Sequence, residues 1–99
     1  MSEKKKCLNE ITEFAKLQFE PKDIAIILDL NVQEFESLCL GKDNSDEKTA
    51  YQKGLLLADA ELRKSIYTMS KQGSSPAQKE FLSIIKKRII NNEKTARKL

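Results

Sequence analysis

Residues 21–40, with the sequence PKDIAIILDLNVQEFESLCL, decide the fold of this 99-residue chain. Ile24 and Leu28 lie four residues apart, and Phe35 and Leu38 lie three apart. Residues at these spacings share one face of a helix. The stretch therefore predicts two short helices, each with an apolar face to bury.

The connection between these two helices is predicted by its polar residues. Asn31 is a favourable N-cap and Glu34 completes a capping box, so the second helix is expected to begin at Val32. The first is expected to end near Asp29, a residue type that tolerates left-handed backbone better than most. Ala25 is followed by this turn position four residues later and by apolar residues ten and thirteen positions later. That spacing is typical of a helix-turn-helix, although glycine is usual where Asp29 stands.

The remainder of the chain predicts three further helices and no strand. An amphipathic pattern covers residues 5–19, a longer one covers 46–72, and a third covers 76–92. We therefore expect an all-α fold with a helix-turn-helix tri-helical unit over residues 1–44. A long antiparallel helical hairpin for oligomerisation, with a basic C-terminal tail, is expected over residues 45–99.

The turn of this hairpin is predicted at residues 73–76, with the sequence GSSP. Ser75 is expected to cap the last helix, Pro76 to take its first position and Gln78 to close a capping box. The polar and basic residues after position 92 are expected to fray.

The long helix carries two apolar stripes, and two stripes need two partners. The first follows a heptad-like seam, which we expect the last helix to cover: Tyr51, Leu55, Ala58, Leu62, Ser65 and Met69. The second consists of Leu56, Ala60 and Tyr67. It is predicted to contact another subunit, and the alternative that the N-terminal unit folds over it stays open.

Charge is distributed unevenly along the chain. The net charge is +3, but residues 1–50 carry −4 and residues 51–99 carry +7, so contact with a polyanion would not be spread evenly. The chain has no His and no phosphate-binding loop, and we predict no catalytic residue, metal or cofactor. Cys7 and Cys39 are expected to be reduced core residues of a cytoplasmic protein. No apolar run is long enough to span a membrane, and the N-terminus does not have the pattern of a secretory signal.

Several motifs in order resemble the small terminase subunit of tailed bacteriophages and related packaging proteins of prophages. They are AIILDLNVQEF, the AY-x-x-G of Ala50, Tyr51 and Gly54, the AELR of Ala60 to Arg63, and the segment from Ala77 to Arg88. Together they span residues 8–90. The resemblance implies a non-enzymatic subunit that recognises phage DNA for packaging in a bacterial host. It further implies that the hairpin builds a ring-shaped homo-oligomer and that a large terminase subunit, with ATPase and nuclease activity, is the partner.

Candidate contacts to double-stranded DNA follow from the motif and from the basic residues. Gln33 and Ser37 are predicted to face a groove. The cations predicted to contact phosphates are Lys22, Lys42, Lys94, Arg97 and Lys98. Two acids, Glu34 and Glu36, lie at the end of the helix that would face the groove and repel phosphates.

Two alternatives to packaging stay open. One is a prophage-derived transcriptional regulator that uses the same motif, and the other is a protein-interaction module without DNA affinity. For Arg88, inside the apolar arc of the last helix, a stem packed on the core and an ion pair with an acid such as Asp59 or Glu61 both stay open.

Overall fold

The computed structural model describes residues 2–98 and the side chains of residues 3–97. This part of the chain is all-α, as predicted. Its five helices are α1 (Ser2–Lys16), α2 (Pro21–Ile27), α3 (Val32–Leu40), α4 (Asp46–Lys71) and α5 (Ser75–Lys98).

Three of these helices end in the same hydrogen-bonded turn. At the end of α2, Asp29 adopts a left-handed φ of 57°, and the N–H of Leu30 donates to the carbonyl of Ala25 at 2.8 Å. This pattern is a Schellman motif, which satisfies carbonyls that the helix end leaves without partners. Gln18 (φ 74°) ends α1 and Gly73 (φ 95°) ends α4 in the same way. The left-handed turn predicted at Asp29 is therefore present.

The helix starts are fixed by side-chain caps. The Asn31 side chain accepts a hydrogen bond from the N–H of Glu34 at 2.9 Å, and α3 begins at Val32, as predicted. Ser45 caps α4 by accepting from the N–H of Lys48 at 3.0 Å. The cap predicted at Ser75 is wrong by one residue, because Ser74 accepts from the N–H of Ala77 at 3.4 Å.

Both terminal helices extend further towards the ends of the chain than the sequence patterns predict, although α1 ends at Lys16 and not at Phe19. Helix α1 begins at Ser2 instead of residue 5, and α5 continues to Lys98 instead of ending near residue 92. In the final turns the Thr95 hydroxyl donates to the carbonyl of Asn91 at 3.0 Å. The predicted fraying of this tail is therefore wrong within the described residues.

The chain divides into two compact units, one ending at Ala60 and the other beginning at Glu61. The boundary predicted at residue 44 falls inside the first unit, because the first turns of α4 belong to its core. The buried residues that form the hydrophobic core of this unit are Ile11, Ala15, Ile24, Ala25, Phe35, Cys39 and Ala50. The prediction that Phe35 and Leu38 share the buried face of α3 is wrong, because Cys39 is buried beside Phe35 and Leu38 is exposed.

The close approach of α4 to α1 explains Ala50 and Gly54 of the AY-x-x-G motif. The Thr12 hydroxyl donates to the carbonyl of Ala50 at 3.1 Å. A Cβ added at Gly54 would lie 2.6 Å from the Cβ of Ala15 and would also collide with the backbone carbonyl of Thr12. Only glycine leaves room for α1 at this position.

The second unit consists of the end of α4 and the whole of α5. The ring of Tyr67 packs on that of Phe81 with 5.2 Å between centroids. The Gln78 amide donates to the carbonyl of Ser70 at 3.1 Å, which is a different role from its predicted capping box. A unit of this kind has little interior, and Ala77 is its buried apolar residue.

Candidate nucleic-acid interface

The exposed side of α3 carries the two side chains predicted to face a DNA groove. Gln33 and Ser37 are both exposed and lie one helical turn apart, while Phe35 and Cys39 anchor the opposite side in the core. Since residues four apart share a helix face, the Gln33 amide and the Ser37 hydroxyl project side by side.

An open groove brings three of the predicted residues together. This α3 groove is lined by Gln33, Glu34, Ser37, Leu38, Gly41, Lys42, Asp43, Asn44 and Ser45. Lys42 thus joins Gln33 and Ser37 from the loop after α3. Two carboxylates line the groove with one cation, so its own charge does not attract phosphates.

The loop that forms one wall of the groove is held by hydrogen bonds between α3 and α4. The Ser45 hydroxyl donates to the carbonyl of Leu38 at 2.8 Å, and the Lys48 ammonium donates to the carbonyl of Gly41 at 2.8 Å. These contacts satisfy carbonyls at the end of α3 and fix the start of α4. The sequence patterns did not predict this role for Lys48. The one feature that could have indicated it is the position of Lys48 three residues after the helix cap Ser45.

The other predicted cations lie elsewhere. Lys22 is exposed on α2 and does not line the α3 groove, and Lys94 and Arg97 are exposed on α5 in the second unit. The side chain of Lys98 lies outside the described residues. Within the first unit, Gln33, Ser37 and Lys42 therefore share the α3 groove, and Lys22 does not.

Net charge changes sign between the two units. Residues 1–60 hold eight lysines against twelve acids, giving −4, whereas residues 61–99 hold ten Lys and Arg against three acids, giving +7. An ion pair joins Lys4 to Asp46 at 3.0 Å within the acidic unit. The carboxylate of Asp46 raises the pKa of Lys4 above its ordinary value.

Cys39 lies in the core of the first unit, Cys7 packs against that core, and both are free thiols. Burial raises the pKa of the Cys39 thiol to about 11, with the carboxylate of Glu47 adding to the effect. Burial also raises the pKa of Cys7. Thiols held in the neutral form are poor nucleophiles and poor metal ligands. Among the described residues no group of His, Cys, Asp and Glu is placed to hold a metal ion.

The predicted subunit contact on α4 is exposed, but one part of its reasoning is wrong. Leu56 is 67% exposed and Ala60 is also exposed. Tyr67 is 46% exposed, yet it was predicted to lack a partner within the chain and instead packs on Phe81. Its ring also lies 5.0 Å from the Lys71 ammonium, a cation–π contact.

The seam predicted to lie under α5 is not covered along its length. Leu62 is 61% exposed and Met69 is 50% exposed, whereas Tyr51 packs against the core of the first unit. The surface of α4 that is free for a partner therefore includes residues of both predicted stripes. Exposed apolar side chains on this scale are typical of surfaces that associate.

Comparison with protein-family models, with curated proteins and with solved structures finds no match to this chain. Within residues 2–98 no helix has the length and apolar character needed to cross a membrane.

Proposed function

We propose that this chain is a non-enzymatic DNA-recognition subunit of the small-terminase type. In this proposal α2, the Asp29 turn and α3 form a helix-turn-helix whose second helix, α3, contacts duplex DNA. Helices α4 and α5 form the hairpin that assembles the subunit into a homo-oligomer, and a large terminase subunit in a bacterial cytoplasm is the partner.

The observation that carries this proposal is the pairing of Gln33 and Ser37 on a capped helix. Both project from α3 into one open groove, with Lys42 at its end. Amide and hydroxyl side chains on the exposed face of a rigid second helix are suited to hydrogen bonding with base edges. Asn31 fixes the start of this helix, so the backbone that carries the two side chains is ordered before any ligand arrives.

A test first selects a preferred sequence from a pool of random 20-bp duplexes. It then compares the affinity for that duplex with the affinity for a random one by fluorescence anisotropy. We expect Gln33→Ala with Ser37→Ala to reduce the discrimination by about 1–3 kcal/mol per lost base contact. The matched control is Gln52→Ala with Ser83→Ala, which removes the same groups from exposed positions on α4 and α5. A wild-type protein that binds all duplexes equally would contradict sequence recognition by α3.

Assembly is tested by sedimentation velocity. Leu56→Glu places a charge on the most exposed part of the predicted contact and should yield a smaller species that remains helical. Thr68→Glu adds the same charge at an exposed position of α4 about 120° around the helix from Leu56, and it should sediment like the wild type. If the wild-type chain is monomeric at high concentration, self-association through α4 is wrong.

A second candidate function is a protein-interaction module without DNA affinity. The specific observations in its favour are the carboxylates of Glu34 and Asp43 in the α3 groove and the exposed Leu38 that also lines it. A groove with two carboxylates and an apolar residue in its lining fits a basic peptide better than a phosphate backbone. The absence of any duplex binding at low salt would favour this function.

A transcriptional regulator would use the same contacts as a packaging subunit. The two differ in their partner, and a gene for a large-subunit ATPase beside this one would favour packaging.

A further inference from the structure

A cleft rich in cations lies between α4 and α5 within the second unit. This α4–α5 cleft is lined by Arg63, Ile84, Lys87, Arg88, Asn91 and Asn92. It thus brings together three cations and two side-chain amides with one apolar wall, and none of the lining residues is acidic. The sequence patterns assigned no shared role to these residues.

The cations of the cleft have their donors available. Arg63, Lys87 and Arg88 are all exposed, and within the described residues none of them makes an ion pair. The ion pair that was one interpretation of Arg88 is therefore not formed within the described residues, whereas a packed stem with an exposed head stays a prediction. Two guanidinium groups and one ammonium group in a single cleft repel one another, and a bound anion relieves that repulsion.

The chemistry of the lining selects phosphate groups. Guanidinium groups donate two parallel hydrogen bonds that match phosphate oxygens, and the Asn91 and Asn92 amides add neutral donors of the kind that contact nucleic-acid backbones. The acids of this unit, Glu61, Glu80 and Glu93, do not line the cleft.

The positive face continues along α5 beyond the cleft. Lys94 follows Asn91 by three residues and Lys87 by seven, so the three lie on one face of the helix. At the rise of an α-helix, Lys87 and Lys94 are separated by about 10 Å along the axis. A row of this length fits several phosphates of a polymer better than one free phosphate ion.

Two features favour duplex nucleic acid over a single strand or a membrane surface. The aromatic rings of this unit, Tyr67 and Phe81, pack on each other and do not line the cleft, so stacking on bases is not available there. The exposed Ile89 and Ile90 do not line the cleft. Helical periodicity places Ile89 on the side of α5 away from Lys87 and Asn91, whereas Ile90 lies beside Lys87, so only one of these two isoleucines could reach a membrane surface together with this cationic row.

We infer that the α4–α5 cleft binds backbone phosphates of duplex DNA independently of sequence. It supplies affinity and positioning, while any reading of bases belongs to α3. The inference rests on the proposed function for its ligand, double-stranded DNA, and adds a second contact site on the other unit.

The test is a salt series of binding to a random 20-bp duplex, measured by fluorescence anisotropy with the full chain. The cleft variant is Arg63→Gln with Lys87→Gln and Arg88→Gln. The control is Lys64→Gln with Lys79→Gln and Lys86→Gln, which removes the same charge from exposed positions outside the cleft. Circular dichroism and sedimentation confirm that both variants keep the helical content and size of the wild type.

We expect the cleft variant to bind at least about 10-fold more weakly at low salt, with a salt slope shallower by about 2–3. The control variant should keep the wild-type slope. Equal losses in the two variants would overturn the inference, because net charge would then explain the binding. So would tighter wild-type binding to single-stranded DNA or to vesicles containing anionic lipid than to the duplex. If inorganic phosphate at millimolar concentration displaces the duplex, the cleft is a site for a free anion, and that result would also overturn the inference.

The outcome is separable from that of the proposed function. Gln33→Ala with Ser37→Ala should narrow the difference in affinity between the preferred and the random duplex, since these side chains are proposed to contribute discrimination. If the cleft variant still discriminates between sequences and binds the random duplex as tightly as the wild type, recognition by α3 is supported and phosphate binding by the cleft is refuted. If the wild type binds the random duplex strongly through the cleft but does not discriminate between sequences, phosphate binding by the cleft is supported and recognition by α3 is refuted.

Discussion

Replacing Gly54 with alanine should destabilise the first unit, although alanine is the better helix former. In an exposed helix this change stabilises by about 0.8–1 kcal/mol. At Gly54, however, the new Cβ would lie 2.6 Å from the Cβ of Ala15 and 3.0 Å from the backbone nitrogen of Lys16. It would also collide with the backbone carbonyl of Thr12. Because these atoms belong to the frame of α1, relief requires the two helices to separate.

The magnitude follows from the contacts that separation would alter. Overpacking of a core costs about 1–3 kcal/mol. Loss of the 3.1 Å hydrogen bond from Thr12 to Ala50 adds about 0.5–1.5 kcal/mol. After the gain in helix propensity is subtracted, we expect a net loss of roughly 1–3 kcal/mol. Each kcal/mol corresponds to about 4–8 °C in Tm for a domain of this size.

Urea unfolding followed by circular dichroism at 222 nm measures this change. The control is Lys53→Ala, an exposed neighbour on α4, which should stay within about 0.5 kcal/mol of the wild type. The sign of the change in unfolding free energy decides between a close contact of α1 with α4 and an open helix surface. A Gly54→Ala protein as stable as the wild type, or more stable, would show that α1 and α4 do not approach this closely.

Two further predictions concern backbone strain and pH. Asp29→Gly and Gln18→Gly should each raise the free energy of unfolding by about 0.5–1 kcal/mol, since both residues have left-handed φ angles. Gly73→Ala should lower the free energy of unfolding for the same reason. Urea unfolding measures these changes, and a loss of stability in both glycine variants would refute the assignment of strain to these positions. The pKa of Cys39 lies near 11 in the fold against an ordinary 9.0, so the folded state keeps a proton that the unfolded chain releases. Stability should therefore be complete below about pH 9 and fall as the pH rises towards 11, with Tyr51, whose pKa burial also raises, acting in the same direction. Cys39→Ala should show a shallower decline in urea titrations across this range, and identical declines in the two proteins would contradict the assignment.

The parts of the fold that the sequence predicted depend on interactions within a few residues. Asn31 caps α3 through a hydrogen bond three residues away, and the left-handed turn at Asp29 is closed by Ile26 and Ala25. Such contacts are encoded locally, so residue types and spacing suffice to place them. The groove that joins Gln33, Ser37 and Lys42 was accessible in the same way, because all three lie on α3 or directly after it.

Contacts between helices that are distant in the sequence were harder to predict. Adjacent residues on a helix differ by about 100° in direction, so Leu38 and Cys39 are distinguished only by what packs above them. The same applies to Tyr67, whose partner Phe81 comes from α5. The α4–α5 cleft was missed for this reason, since Arg63 joins Lys87 and Arg88 only after the chain has turned.

The separation of charge between the units gives a physical reason to divide affinity from specificity. Phosphate contacts supply most of the affinity of a DNA-binding protein, whereas contacts to base edges supply discrimination. The α3 groove contains two carboxylates and one lysine, which is a poor source of affinity. The second unit carries +7 and contains the α4–α5 cleft. If both proposals hold, removing the cleft cations should weaken binding to every duplex by a similar factor, and removing Gln33 and Ser37 should lower affinity only for the preferred sequence.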